Sequence, residues 1–296
     1  MQGRPRRSVL YMPGSNERAL QKAKAIPADA LIFDLEDAVA PDAKLLARDQ
    51  VCAAVRNGGY GGREIVIRVN ALETPWGTDD LMAAISAEPD AILVPKVVHP
   101  GDVISAGKIL QGVRAPEKIR LWAMMETPMA ILNARTIAAT AVYAEHRLCC
   151  LVMGTNDLLK ESRARALHNR FAVVPWLAMA VASARAYRLD VLDGVYNDFK
   201  DEMGLREECE QGRTLGMDGK TLIHPSQVVP CNEIFSPTEE EVSWSRKIIA
   251  AFRQPGNAKK GVIVVEGRMV ERLHLSMAER TVQIAEQIRE METACS

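Results

Sequence analysis

The chain has 296 residues, with 37 Lys and Arg against 38 Asp and Glu and a formal net charge of -1. That balance argues against a general nucleic-acid binder, which is usually strongly basic, and no apolar stretch reaches the roughly 18 residues of a membrane span. Hydrophobic residues at 48% and charged residues at 25% suit a globular chain long enough to bury a large core.

Basic Arg4, Arg6 and Arg7 are followed by no long apolar region or small-residue cleavage site, so no secretory signal is expected. The cysteines, Cys52, Cys149, Cys150, Cys209, Cys231 and Cys295, include no C-x-x-C pair. They read as small core hydrophobes in a reducing, cytoplasmic compartment.

In chain order, a strand is expected over Ser8–Pro13, then a helix capped by Ser15 and running through Ala25. A strand over Ala30–Leu35 precedes a helix capped by Asp42 that runs to Arg56. The Gly58-Gly59-Tyr60-Gly61-Gly62 cluster is a turn before a strand over Glu64–Val69. Further strands are expected over Ala91–Val97, Ile119–Met125, Arg147–Met153, Asp190–Val195 and Lys220–Ile223. Thr127-Pro128 marks a helix start, as does Ser236-Pro237-Thr238-Glu239, which combines Pro at the first helical position with capping-box spacing.

Several strands are nearly continuous apolar runs, as parallel strands buried on both faces require. Eight of them alternating with helices predict an α/β fold, a (β/α)8 TIM barrel over residues 1–255. A doubly wound open sheet is the alternative, but the chain has neither a G-x-G-x-x-G after the first strand nor a Walker loop. Gly256–Lys260 reads as a linker, Val262–Val265 as a strand and Ser276–Glu290 as a helix. This extension, 256–296, is too short to own a core and is expected to pack on something.

In such barrels the active site gathers at the C-terminal strand ends. Those ends carry Ser15, Asp34, Glu36, Asp37, Arg68, Asn70, Lys96, Glu126, Asn156, Asp157, Asp193 and His224. Glu126 and Asp157 follow neighbouring strands and make a plausible Mg²⁺ site, since Mg²⁺ often takes one or two carboxylates plus water and substrate. Equally, each could cap a helix or pair with Arg68 or Lys96. Arg68 could hold a carboxylate or an enolate oxygen, and a salt bridge to Glu36 would keep it still. The Gly154-Thr155-Asn156 turn offers backbone N–H groups for a substrate carboxylate. His224 reads first as a hydrogen-bonded structural residue, and Lys96 leaves a Schiff base open.

The segments Ser8-Val9-Leu10-Tyr11-Met12-Pro13-Gly14-Ser15, Phe33-Asp34-Leu35-Glu36-Asp37, Arg68-Val69-Asn70, Val94-Pro95-Lys96, Met125-Glu126-Thr127, Gly154-Thr155-Asn156-Asp157-Leu158 and His224-Pro225-Ser226-Gln227 occur in that order. Together the sequence resembles the citrate lyase β-subunit-like family of the HpcH/HpaI aldolase superfamily, which includes malyl-CoA and citramalyl-CoA lyases. The resemblance implies a Mg²⁺-dependent carbon–carbon lyase acting on a 3-hydroxyacyl coenzyme A thioester of malyl-, citramalyl- or citryl-CoA type, giving an acyl-CoA and a 2-oxo acid. It also implies a homotrimer, sometimes doubled to a hexamer, with the tail covering a neighbour's site. Glu126 and Asp157 would be the metal ligands and Arg68 the enolate stabiliser. Gly154, Thr155 and Asn156 would join Arg68, Glu126 and Asp157 in binding substrate. Tyr11 and Lys22 match coenzyme A contacts, with Lys44 and Arg48 as further basic candidates.

The tail departs from the pattern. Relatives commonly read Asp-Gly-x-x-Ile-Asp, whose second Asp is the acid/base; here Glu266-Gly267-Arg268-Met269-Val270-Glu271 stands in its place. The catalytic candidates are therefore Arg68, Glu36 and Glu271. The extra methylene leaves room for thioester hydrolysis on the same scaffold. An obligate subunit working with an acyl carrier is a further reading. A non-catalytic acyl-CoA sensor would have no need of both carboxylates and Arg68.

Overall fold

Apolar runs bounded by turns have one economical solution when helices separate them: parallel strands covered on both faces. In the computed structural model they close into a parallel barrel in sequence order. The structure describes residues 4–165 and 169–294, so His168 and Cys295 lie outside the described residues. The strands are β1 (Ser8–Pro13), β2 (Ala30–Asp34), β3 (Glu64–Arg68), β4 (Ala91–Val94), β5 (Arg120–Met125), β6 (Leu148–Met153), β7 (Asp190–Asp193) and β8 (Gly219–Leu222). The helices between and after them are α1 (Glu17–Lys22), α2 (Lys44–Asn57), α3 (Gly77–Ala87), α4 (Pro100–Gly112), α5 (Pro128–Leu132), α6 (Ala134–Ala139), α7 (Thr155–Ser162), α8 (Val174–Ala186), α9 (Glu202–Leu215) and α10 (Val228–Phe235).

Inward-facing side chains, among them Val9, Ile32, Val66, Leu93, Trp122 and Val152, fill the barrel, while outward-facing ones such as Leu10, Phe33, Ile67 and Leu151 pack under the helices. The register pairs Pro13 with Asp34 and Asp34 with Arg68, so polar strand ends arrive at one level of the mouth.

Local chemistry shifts several boundaries. β4 ends at Val94 because Pro95 has no N–H to donate and Lys96 turns into the left-handed region (φ 52°). Asn16, not Ser15, caps α1, its side chain accepting from the Ala19 N–H. Asp42 lies in a 3₁₀ turn, Pro41–Ala43, and α2 starts after it. Thr127 caps α5 as expected, accepting from the Ala130 N–H at 3.0 Å. Cys52, Cys150, Cys209 and Cys231 are buried and free. No described helix is long and apolar enough to cross a membrane.

The barrel unit spans Arg6–Phe235, and the residues from Ser236 onward belong, with the N-terminal residues before Arg6, to a second unit. The division falls earlier than residue 255 because α11 (Glu239–Arg253) shares a core with the tail: Ile248, Ile249 and Phe252 pack with Ile263, Val265, Val270 and Ala278. The cap of α11 is Thr238, in a capping box with Glu241 rather than one built from Ser236 and Glu239. The tail has two strands, β9 (Val262–Val265) and β10 (Arg268–Glu271), then α12 (Arg272–Ala294), longer at both ends than the sequence suggests. Glu266 (φ 48°) and Gly267 (φ 79°) form the two-residue hairpin turn, whose positive angles suit the strand twist. The register pairs Glu271 with Val262 and Met269 with Val264, so these four share one face. That face is exposed.

Inside the barrel unit, Lys220 is completely buried between Asp193 (2.9 Å) and Glu208 (2.9 Å), and Arg170 places Nη1 2.9 Å from both Asp193 oxygens. Removing one partner of such a set leaves an uncompensated buried charge and costs about 3–5 kcal/mol. Lys220→Met is therefore expected to lower the urea midpoint by a corresponding amount, read by circular dichroism; an unchanged midpoint would refute the role.

Candidate active site

Arg68 closes β3 and is held from below and beside. Its Nε and Nη2 form a fork on Asp34 at 2.7 and 2.6 Å, and the guanidinium lies 4.8 Å over the Tyr11 ring. The salt bridge to Glu36 expected from the sequence is present, with Oε2 3.0 Å from Nη1 though not hydrogen-bonded to it, and the same Nη1 donates to Asp37 at 3.4 Å. Asp34 wins because strand register sets it directly beside Arg68. Asp34 also accepts from the N–H groups of Glu36 and Ala38, at 2.9 and 3.0 Å. Burial favours its neutral form, but Arg68 and these donors hold the carboxyl below its ordinary value.

Glu36 goes the other way. Burial pushes its carboxyl up to about 8, against the pull of Arg68. Its proton is then bound in the folded state and absent in the unfolded state between the ordinary value of 4.5 and about 8. Stability contributed below pH 4.5 is lost as pH rises through that window. In EDTA, Glu36→Gln is expected to flatten the fall in melting temperature between pH 5 and pH 8; an unchanged profile would mean that Glu36 is ionised throughout.

Glu126 follows β5 and is almost fully buried. Its Oε1 accepts from the Lys96 backbone N–H at 2.7 Å, and its Oε2 lies 3.3 Å from Lys96 Nζ. Asp157, in the first turn of α7, pairs with the same ammonium. The two carboxyl groups are close enough to interact directly. Burial raises Glu126 to about 7, against Lys96. Burial also acts to raise Asp157, but the Lys96 hydrogen bond keeps it below its ordinary value.

Gly154 is needed for this approach, since a Cβ there would stand 2.3 Å from Glu126 Cβ. Gly154 also leaves α7 without a side-chain cap, so the first-turn N–H groups at Thr155 and Asn156 point from a helix N-terminus as anion donors. Asn156 exchanges amide hydrogen bonds with Asn197 at 3.1 and 2.8 Å. Sequence reasoning missed Asn197, which follows β7 in a loop with no motif of its own.

Two basic candidates stand elsewhere than expected. Lys44 is buried, and its ammonium donates to the Leu35 carbonyl (2.8 Å), the Glu36 carbonyl (2.6 Å) and Asn70 Oδ1 (2.8 Å). Those bonds use all three protons. Arg48 is held by Asp80 at 2.6 Å and the Trp76 carbonyl at 3.3 Å. Lys44 thus braces the loop after β2, and Arg48 ties α2 to the start of α3, so both side chains are engaged within the fold rather than free for a coenzyme. Lys22 is exposed at the end of α1, and Tyr11 lies half-buried under Arg68. Lys96 is an ion-pair partner, and His224 a structural cap bonded to Ser226 at 2.8 Å and stacked on Phe199. Glu271 lies on the exposed hairpin face of the second unit.

Among the described residues no three His, Cys, Asp or Glu side chains converge as a metal cage. The pair Glu126 and Asp157 does fit an ion that takes its remaining ligands from water and substrate, because the two carboxylates already share one cation.

Over 287 residues, 97% of each chain, the sequence is 48% identical to a (3S)-malyl-CoA thioesterase of Cereibacter sphaeroides. It is 33% identical to the citrate lyase subunit beta of Escherichia coli, over 93% of this chain and 94% of that one. The protein CitE of Mycobacterium tuberculosis, solved in complex with magnesium, acetoacetate and coenzyme A, matches with a TM-score of 0.74 and 26% identity, covering 95% of this chain and 98% of that one. Residues 7–225 match the family HpcH/HpaI aldolase/citrate lyase. The chain is an enzyme of the HpcH/HpaI aldolase/citrate lyase family.

Proposed function

We propose that the barrel mouth binds the coenzyme A thioester of a short hydroxy dicarboxylic acid, of the malyl-CoA type, and hydrolyses the thioester in a Mg²⁺-dependent reaction. The observation that carries this reading is the gathering of a pinned Arg68, the Glu126–Asp157 pair and the uncapped α7 N-terminus at one mouth. Glu126 and Asp157 would hold Mg²⁺, which when bound supplies Lewis acidity toward substrate oxygens.

The α7 amides at Thr155 and Asn156 seat the free carboxylate of the acid portion. Arg68 faces the thioester carbonyl and stabilises negative charge that develops on its oxygen. Glu36 carries a proton at neutral pH and serves the departing thiolate. Water adds to the thioester carbon and gives its proton to Glu271 from the tail of a neighbouring copy, and the C–S bond breaks as the thiolate takes the Glu36 proton; Tyr11 and Lys22 remain the proposed coenzyme A contacts. Similarity to a thioesterase at 48% identity favours hydrolysis, as does the tail's Glu in place of the lyase Asp.

Carbon–carbon cleavage is the second reading, favoured by Arg68, which a fixed cation makes equally suited to an acyl-CoA enolate. A homotrimer or its doubled hexamer belongs to the proposal. The support is the exposed hairpin face of Val262, Val264 and Met269, continued by exposed Leu273 and Met277. A cytoplasmic setting is also proposed, from the free buried thiols.

The test is a panel of malyl-, methylmalyl-, citramalyl- and citryl-CoA given to the purified chain with Mg²⁺ or EDTA. Free CoA and the intact hydroxy acid support hydrolysis. An acyl-CoA and a 2-oxo acid support cleavage. No turnover of any free thioester would favour an obligate subunit acting on an acyl carrier.

A further inference from the structure

Among the described residues, Lys96 is the cationic group that pairs with both carboxylates of the proposed metal site, and it acts in two separable ways. Its backbone N–H holds Glu126 Oε1 at 2.7 Å, from a left-handed conformation with φ 52°. Its ammonium reaches Glu126 Oε2 at 3.3 Å and pairs with Asp157. The backbone contact fixes the Glu126 carboxylate wherever the side chain points. The side chain itself is 35% exposed, so it has a path out of the mouth that buried Glu126 lacks.

Two carboxylates facing each other without a cation would repel and resist ionisation. A single ammonium matches only one of two ionised carboxylates, whereas a divalent ion matches both. An ammonium and a divalent ion cannot both sit between these oxygens. The displaced ammonium would then be a free positive charge at the entrance, suited to an anionic substrate.

We propose that Lys96 is a built-in counter-cation that a divalent ion displaces, so that metal loading is a lysine-for-metal exchange rather than the filling of an open site. This rests on the reading of Glu126 and Asp157 as metal ligands. The exchange lowers apparent metal affinity by the fraction of molecules in which the lysine has left.

The experiment measures Mg²⁺ binding directly, by calorimetry on the full-length protein freed of metal with EDTA and then dialysed. Wild type is compared with Lys96→Met, Lys96→Gln and Glu126→Gln. If about nine-tenths of wild-type molecules hold the lysine in place, both Lys96 variants bind Mg²⁺ about tenfold more tightly. Their metal-free melting temperatures fall, and Mg²⁺ raises them by more than it raises the wild type. Glu126→Gln loses binding. Wild-type binding with equal or weaker binding in both Lys96 variants overturns the exchange and leaves the metal site standing. Absence of Mg²⁺ binding in wild type and Lys96 variants alike overturns the metal-site reading and the exchange with it.

A second measurement needs no variant. Reductive methylation of the wild type, followed by mass spectrometry, is expected to label Lys96 faster once Mg²⁺ is added. A rate that is unchanged or slower contradicts displacement of the ammonium.

Discussion

Glu126→Ala and Asp157→Ala are each expected to remove Mg²⁺-dependent turnover, with kcat/KM falling by at least about 10³-fold, on the scale of losing a principal stabiliser of transition-state charge. The two variants should differ in stability. Glu126 is 1% exposed and is hydrogen-bonded by the Lys96 N–H, so its removal leaves a cavity and a buried unpaired donor. Asp157 has a side chain 25% exposed on α7, and its removal disturbs less. The isosteric Glu126→Gln separates charge from packing. It should keep the fold, as read by near-ultraviolet circular dichroism, and lose activity. Retained Mg²⁺-dependent turnover in any of these variants would remove the metal assignment.

Arg68 carries the second large effect. Two of its donors are committed to Asp34, and its face rests on Tyr11, so the guanidinium is fixed before substrate arrives. Preorganised charge is what stabilises a developing oxyanion, and losing one such donor costs about 10²–10³-fold in kcat. Arg68→Met should show that loss together with a stability decrease of about 3–5 kcal/mol, because Asp34 is left as a lone buried carboxylate. Pairing it with Asp34→Leu removes the orphan charge. The double variant should recover most of the stability and none of the activity. Recovery of activity as well would mean that Arg68 acts only as a brace. Arg68→Lys should also fail, since an ammonium cannot reproduce the two-pronged contact with Asp34.

The barrel was legible because each strand is a short apolar run that stops at a turn, and parallel burial on both faces leaves a simple signal. The positions of Arg68, Glu126 and Asp157 were legible for the same reason: a charge at the end of such a run, or one turn beyond it, has to sit at the mouth. Partnership was not legible. Asp34, Glu36 and Asp37 all stand near Arg68 in the sequence pattern and all pair with it, but only the register of β2 with β3 gives Asp34 the two-pronged contact. Lys44 and Arg48 look like solvent-facing helix residues until Asn70 and Asp80 arrive from later elements to engage them. β10 was hidden by its length and by Arg268 and Glu271 at its ends, with Glu-Gly serving as a turn where Asn-Gly or Asp-Gly is the stronger signal. The early end of the barrel unit was hidden too, because the partners of Ile248 and Phe252 lie beyond the linker.

The carboxylate pair at the mouth is the proposed metal-bound working site. The most direct test is a crystal soaked with Mn²⁺ as an anomalous stand-in for Mg²⁺. One strong anomalous peak is expected within about 2.2 Å of oxygens of both Glu126 and Asp157, with remaining ligand positions open to water or substrate. A protein that is active with Mn²⁺ in solution but shows its peak elsewhere, or none at this pair, would contradict it.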